Sequence, residues 1–153
     1  MMNSMMNSMW EVGLKMVHSF FALSEKVGKG DSLLSLDEAL DGRRMAGQNY
    51  VGLQDVAIEQ IVGSVNSGRC QDFDASFCLQ NERGRGRWNA VAKARRSVKG
   101  VPPVVLVQLG SVYFVQDGHH RISVARACGD VSVRAHVTVL VVAGVWERNG
   151  VLV

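Results

Sequence analysis

Cysteine is sparse and badly spaced for chemistry. The chain has three cysteines, Cys70, Cys78 and Cys128, and no two form a CxxC pair. That excludes a disulfide framework and a cysteine-based zinc site. Proline is rarer still, with two residues, Pro102 and Pro103, side by side. No G-x-S-x-G elbow, HExxH helix or HxH pair occurs, which removes the sequence basis for a serine hydrolase or a histidine zinc site. No window approaches the roughly 20 apolar residues needed to cross a bilayer. The longest candidate, Trp10 to Phe21, is broken by Glu11, Lys15 and His18. It also lacks a small-residue cleavage site, so no secretory signal is expected and the cytoplasm is the expected location. No membrane partner is expected.

Acidic residues are missing from one particular stretch. Arg83, Arg85, Arg87, Lys93, Arg95, Arg96 and Lys99 follow one another with no acid between them, although the net charge is only +3. Clustered cations fit an anionic partner such as phosphate, DNA or RNA. A solvated helix face gives the same pattern. Arg85, Arg87, Lys93, Arg95 and Arg96 are the candidate nucleic-acid contacts.

What remains describes a small globular chain. Hydrophobic residues make up 47% of 153, enough to bury a core. The start is a short Met-Asn-Ser repeat. From Met9 to Val27, Trp10, Leu14, Val17 and Phe21 fall at helical steps, and Gly28-Lys29-Gly30 ends the segment. This amphipathic helix is a candidate docking face for a second copy or a partner protein. Ser35-Leu36-Asp37-Glu38 has capping-box spacing and predicts a short helix ending near Gly42. Polar residues up to Gly52 read as a loop. Residues 1–52 are therefore expected to be an N-terminal helical arm, and 53–153 the main domain, with no room beyond it for another.

Within that domain, Asn81 to Arg87 reads as a mobile Gly/Arg-rich loop. Trp88, Val91, Ala92, Arg95 and Val98 fit a helix with a basic face, stopped by Gly100 and Pro102. Val104–Val107 and Val112–Val115 around Leu109-Gly110-Ser111 form the clearest hairpin. Asp117-Gly118-His119-His120-Arg121 then leads into a helix through Ile122, Ala125 and Cys128, with Gly129 as its stop. Val131 to Val139 alternates cleanly as a half-buried strand.

The strand, glycine turn and helix around Gly118 point to an anion site. A helix start leaves N–H groups unpaired and partly positive, so an anion is stabilised there. Gly118 permits a sharp turn and close approach. Arg121 offers a fork suited to phosphate oxygens. His119 and His120 can donate hydrogen bonds in either charge state. Asp117 could cap the helix, bind a metal or act as a base. Each has a structural alternative: a plain Asp-Gly turn, a core histidine, an Asp117–Arg121 ion pair. Adjacent histidines point about 100° apart on a helix, so no metal site is expected.

These residues resemble the ParB/sulfiredoxin superfamily. The resemblance rests on Pro103-Val104-Val105-Leu106, Tyr113-Phe114-Val115 and Asp117-Gly118-His119-His120-Arg121 running into Val124-Ala125. Upstream, Ile61 to Arg69 with Phe73 and Asp74, and the Trp88–Val98 helix followed by Gly100-Val101-Pro102-Pro103, are similar to the ParB N-terminal module. It implies an α+β fold, a small mixed β-sheet with flanking helices, beside the N-terminal helical extension. It also implies a nucleotide, ATP or CTP with Mg, held by Gly118, His119, His120 and Arg121. Asp117 would be the base if the chain were a small-molecule kinase. A DNA- or RNA-binding or nuclease-like accessory role through Arg83–Lys99 is the alternative. Two departures stand out: His119 occupies the sulfiredoxin cysteine position, and the ParB helix-turn-helix region is missing.

Overall fold

Ser35 sets up the first helix as its spacing predicts. Glu38 N donates to Ser35 Oγ at 3.1 Å, and Ser35 N donates back to Glu38 Oε2 at 3.3 Å, satisfying two orphan donors at once. The computed structural model describes residues 32–143 and two short strands, Glu147–Arg148 and Val151–Leu152. The Met9–Val27 segment lies outside the described residues.

Strand β1 (Leu34–Ser35) runs into helix α1 (Leu36–Leu40), which ends where Asp41 turns left-handed. Strand β2 then spans Met45–Ala57, so the stretch read as a loop up to Gly52 is a strand. Its sequence hides this because Met45 to Val51 are exposed on both faces, and a strand with no buried face has no alternating pattern. Its pairing comes from strand β6 (Ser132–Val142), antiparallel and far away in sequence. The expected boundary at 52/53 therefore falls inside β2, and the sheet begins before it.

Strands β3 (Ile61–Ser64), β4 (Val104–Leu109) and β5 (Val112–Asp117) complete a six-stranded sheet of order β1-β3-β5-β4-β6-β2. β4 and β5 form the expected antiparallel hairpin. β3 lies parallel to β5, and β4 parallel to β6. The fold is thus α+β with a mixed sheet and flanking helices.

Both faces of the central strands are buried. On one, Val104, Leu106, Val115, Ala135 and Val137 pack with Ile122 and Ala125 of helix α3 (His119–Ala127) and with Phe73 and Phe77. On the other, Val107, Leu109, Val112, Phe114 and Leu140 pack with Leu36 and Ala39 of α1. In β6 the buried position passes from Val137 to Leu140. The alternation expected through Val139 breaks there, beside an irregularity in the β2–β6 register.

Helix α3 has the expected stop. Gly129 N donates to Arg126 O and Asp130 N to Ala125 O, both at 3.0 Å, the double closure of a Schellman end. Helix α2 (Arg85–Arg95) has no buried residue of its own. Polar links hold it along α3: Trp88 Nε1–H donates to Ser123 Oγ at 2.9 Å, and Arg95 grips Asp130 with two bonds of 2.6 and 2.7 Å. The Asn81–Arg87 stretch expected to be mobile is also built. Asn81 Oδ1 accepts from Gly84 N at 3.1 Å, capping a turn over Glu82–Gly84 that feeds α2.

Gly118 is the hinge between sheet and α3. Its φ is +109°, and a β-carbon there would sit 2.6 Å from Val104 Cγ1. Left-handed strain adds about 1–2 kcal/mol for a side-chain-bearing residue, and overpacking about 1–3. Gly118→Ala should therefore lower unfolding stability by about 2–5 kcal/mol, read from urea titration. An unchanged midpoint would contradict this geometry.

Candidate functional site

The start of α3 is pinned from below. His119 Nε2 lies 2.8 Å from Ser64 Oγ on β3, and Ser64 is fully buried. The His119 ring stacks on Phe73 at 6.0 Å between centroids, and the His120 ring meets the same phenyl edge-on at 5.2 Å. Phe73 thus touches both histidines and packs on Phe77. Burial, with Arg69 and His120 adding positive charge nearby, lowers His119 to a pKa of about 4. His119 is the satisfied core histidine among the readings open at the sequence level.

His120 faces elsewhere. It is 7% exposed, and its Nε2 is buried with no hydrogen-bond partner. A buried polar atom without a partner is uncommon and costly. Gly84 lies directly over it; a β-carbon there would come within 3.2 Å of Nε2. His120 helps line a cavity of about 490 Å³ with Arg69, Arg83, Arg87, Asn66, Asn81 and Asp72. Burial first, then the Arg87 and Arg69 charges, lowers its pKa. Asp72 is already engaged, by Asn81 Nδ2 at 2.7 Å and by Arg69 at 3.5 Å. Arg83 and Arg87 have no acidic partner among the described residues.

Arg121 belongs to another surface. Its Nη1 donates to Pro102 O and Pro103 O at 3.0 and 2.7 Å, and its Nη2 to Asp117 at 3.0 Å. The guanidinium closes the α3 start onto the approach to β4 and borders a separate cavity of about 250 Å³. Asp117 is 74% exposed and does not line the larger cavity. The five-residue box is therefore divided: His120 faces the cationic cavity, His119 is core, and Arg121 with Asp117 forms a clamp on the other side.

The basic run divides as well. Arg83 and Arg87 reach the cavity; Arg85 lies 3.9 Å from Glu82; Arg95 is occupied by Asp130; Lys93 and Arg96 are exposed. Arg69, Asp72, Asn66 and Asn81 were not picked out from the sequence as cavity residues. The signal was the turn-rich loop Gly63–Gly68 with a cation and an acid just beyond it. Only the chain's return through Asn81 places them opposite His120.

No protein-family model and no curated protein matches this chain. Among solved structures it is similar to the crystal structure of sulfiredoxin from Arabidopsis thaliana, at 14% identity and a TM-score of 0.41. The match covers 56% of this chain and 82% of that one. Among the described residues no helix is long and apolar enough to cross a membrane, and no group of three or more His, Cys, Asp or Glu side chains could hold a metal.

His119 makes stability depend on pH. Its folded pKa, about 4, lies below the unfolded value of about 6.5. Between those values the unfolded chain binds more protons, so stability rises with pH. Acidification from pH 7 to pH 4 should cost about 3 kcal/mol through this group, with His120 adding in the same direction. His119→Gln should remove most of that slope in urea titrations at the two pH values. An equal slope in the variant would contradict the buried neutral imidazole.

Proposed function

We propose that the chain binds the phosphate groups of a nucleotide in the cavity between His120, Arg69, Arg83 and Arg87. The observation that carries this is His120 on the wall of a cavity shared with three guanidinium groups, its Nε2 buried beneath Gly84 without a hydrogen-bond partner. A neutral imidazole can donate there, and the arginines bring charge-assisted donors. A cavity of about 490 Å³ is in the range of small-ligand sites.

This reading keeps the anion site near the Asp117–Arg121 turn but moves its centre. His120 is the box residue that meets the ligand, with Gly118 shaping the turn and Arg121 and His119 fixing it from either side. Mg would arrive on the phosphates of ATP or CTP, which supply most of its oxygen ligands; Asp72 is the carboxylate at hand. Cytoplasmic residence, where such nucleotides are plentiful, goes with the proposal. Nothing in the arrangement favours phosphate transfer by Asp117, whose carboxylate is turned towards Arg121 on the far side.

One observation favours nucleic acid as a second reading. Lys93, Arg96 and Lys99 are exposed along and just beyond α2 and have no acidic partner among the described residues. They could extend a phosphate track away from the cavity. Binding of that kind weakens steeply with salt.

Calorimetric titration with each of the four ribonucleoside triphosphates and Mg²⁺ tests the first reading. Saturable binding by at least one is expected. Arg87→Ala should weaken it about 10- to 100-fold, as for loss of a charge-assisted hydrogen bond. No binding to any of the four at millimolar concentration overturns the proposal.

A further inference from the structure

We propose that β2 is a dimer edge, pairing antiparallel with β2 of a second copy. The strand closes one side of the sheet, bonded to β6 along one flank; among the described residues no strand pairs with the other. At 13 residues it is about 43 Å long. Edges of that length are usually blunted by lysine, proline or inward charge. Between Met45 and Ala57 there is no Lys, Arg or Pro, and Asp55 is the one charged residue. Tyr50 is 63% exposed, and Met45, Val51 and Leu53 are exposed beside it. Tyr50 is held in place by a 2.8 Å bond between its hydroxyl and His136 Nδ1.

The charges at the two ends specify a second copy rather than a different partner. Arg43 and Arg44 directly precede the strand, and Asp55 lies near its end. Neither arginine has an acidic partner among the described residues. The Asp55 carboxylate is largely exposed and bonds Arg134 through one oxygen only. A twofold axis at Asn49 sets Arg43 of one copy opposite Asp55 of the other. The same register sets Met45 opposite Leu53. Symmetry repeats both pairs, the self-complementary pattern of an isologous interface. The β2–β6 irregularities fall between Met45 and Gly47 and between Tyr50 and Gly52. The regular segment from Gly47 to Tyr50 lies between them, where the axis would pass.

Sedimentation of the full chain should show a dimer at micromolar concentration. Asp55→Arg makes the edge wholly cationic, and Arg43→Asp with Arg44→Asp makes it wholly anionic. Each variant should sediment as a monomer with an unchanged circular dichroism spectrum, and mixing the two should restore the dimer. A monomeric wild-type chain overturns the proposal. So does a dimer that persists in both variants, or folded variants that fail to associate when mixed.

Discussion

Phe73 is the fixed point on which the candidate site depends. Its ring is fully buried, one imidazole stacked on it and a second meeting it edge-on. Through His119 the cluster reaches Ser64 and so joins the start of α3 to β3. The loop that carries Phe73 also carries Arg69 and Asp72, so burying one aromatic ring brings a cation and an acid opposite His120. Truncating a buried phenylalanine typically costs about 3–5 kcal/mol. Here the loss would also release the loop that supplies one wall of the cavity.

Around that point, side chains that look alike in the sequence do different work. His119 and His120 are neighbours, yet one is satisfied in the core and the other is left unpartnered at a cavity. Arg95, Arg121 and Arg134 are paired with Asp130, Asp117 and Asp55. Arg83 and Arg87 are not paired with any described acid, and both line the cavity. Arg69 does both, lining the cavity while it pairs with Asp72.

The segments legible in the sequence were those whose signal is local. The capping box at Ser35, the β4–β5 hairpin, the glycine turn at Gly118 and the Gly129 stop all follow from a few adjacent residues. β2 carries no local signal, because it is exposed on both faces and pairs with a strand far away in sequence. The Asn81–Arg87 stretch is held by an Asn81 cap and a bond to Asp72, and composition shows neither. A core histidine and an Asp117–Arg121 ion pair are both open readings of the sequence, but the sequence does not choose between them and the anion site. The choice depends on which side of α3 each side chain leaves, and on Pro102 and Pro103 offering their carbonyls to Arg121.

The imidazole of His120 reports on the proposed ligand more directly than any binding isotherm. Nitrogen-15 NMR of labelled histidine rings, followed across pH with and without inorganic triphosphate, reads its protonation. A pKa below the ordinary histidine value in the free protein, rising when triphosphate is added while the His119 signal stays neutral, is the predicted result. A His120 titration unmoved by saturating triphosphate would contradict the assignment of this cavity to phosphate.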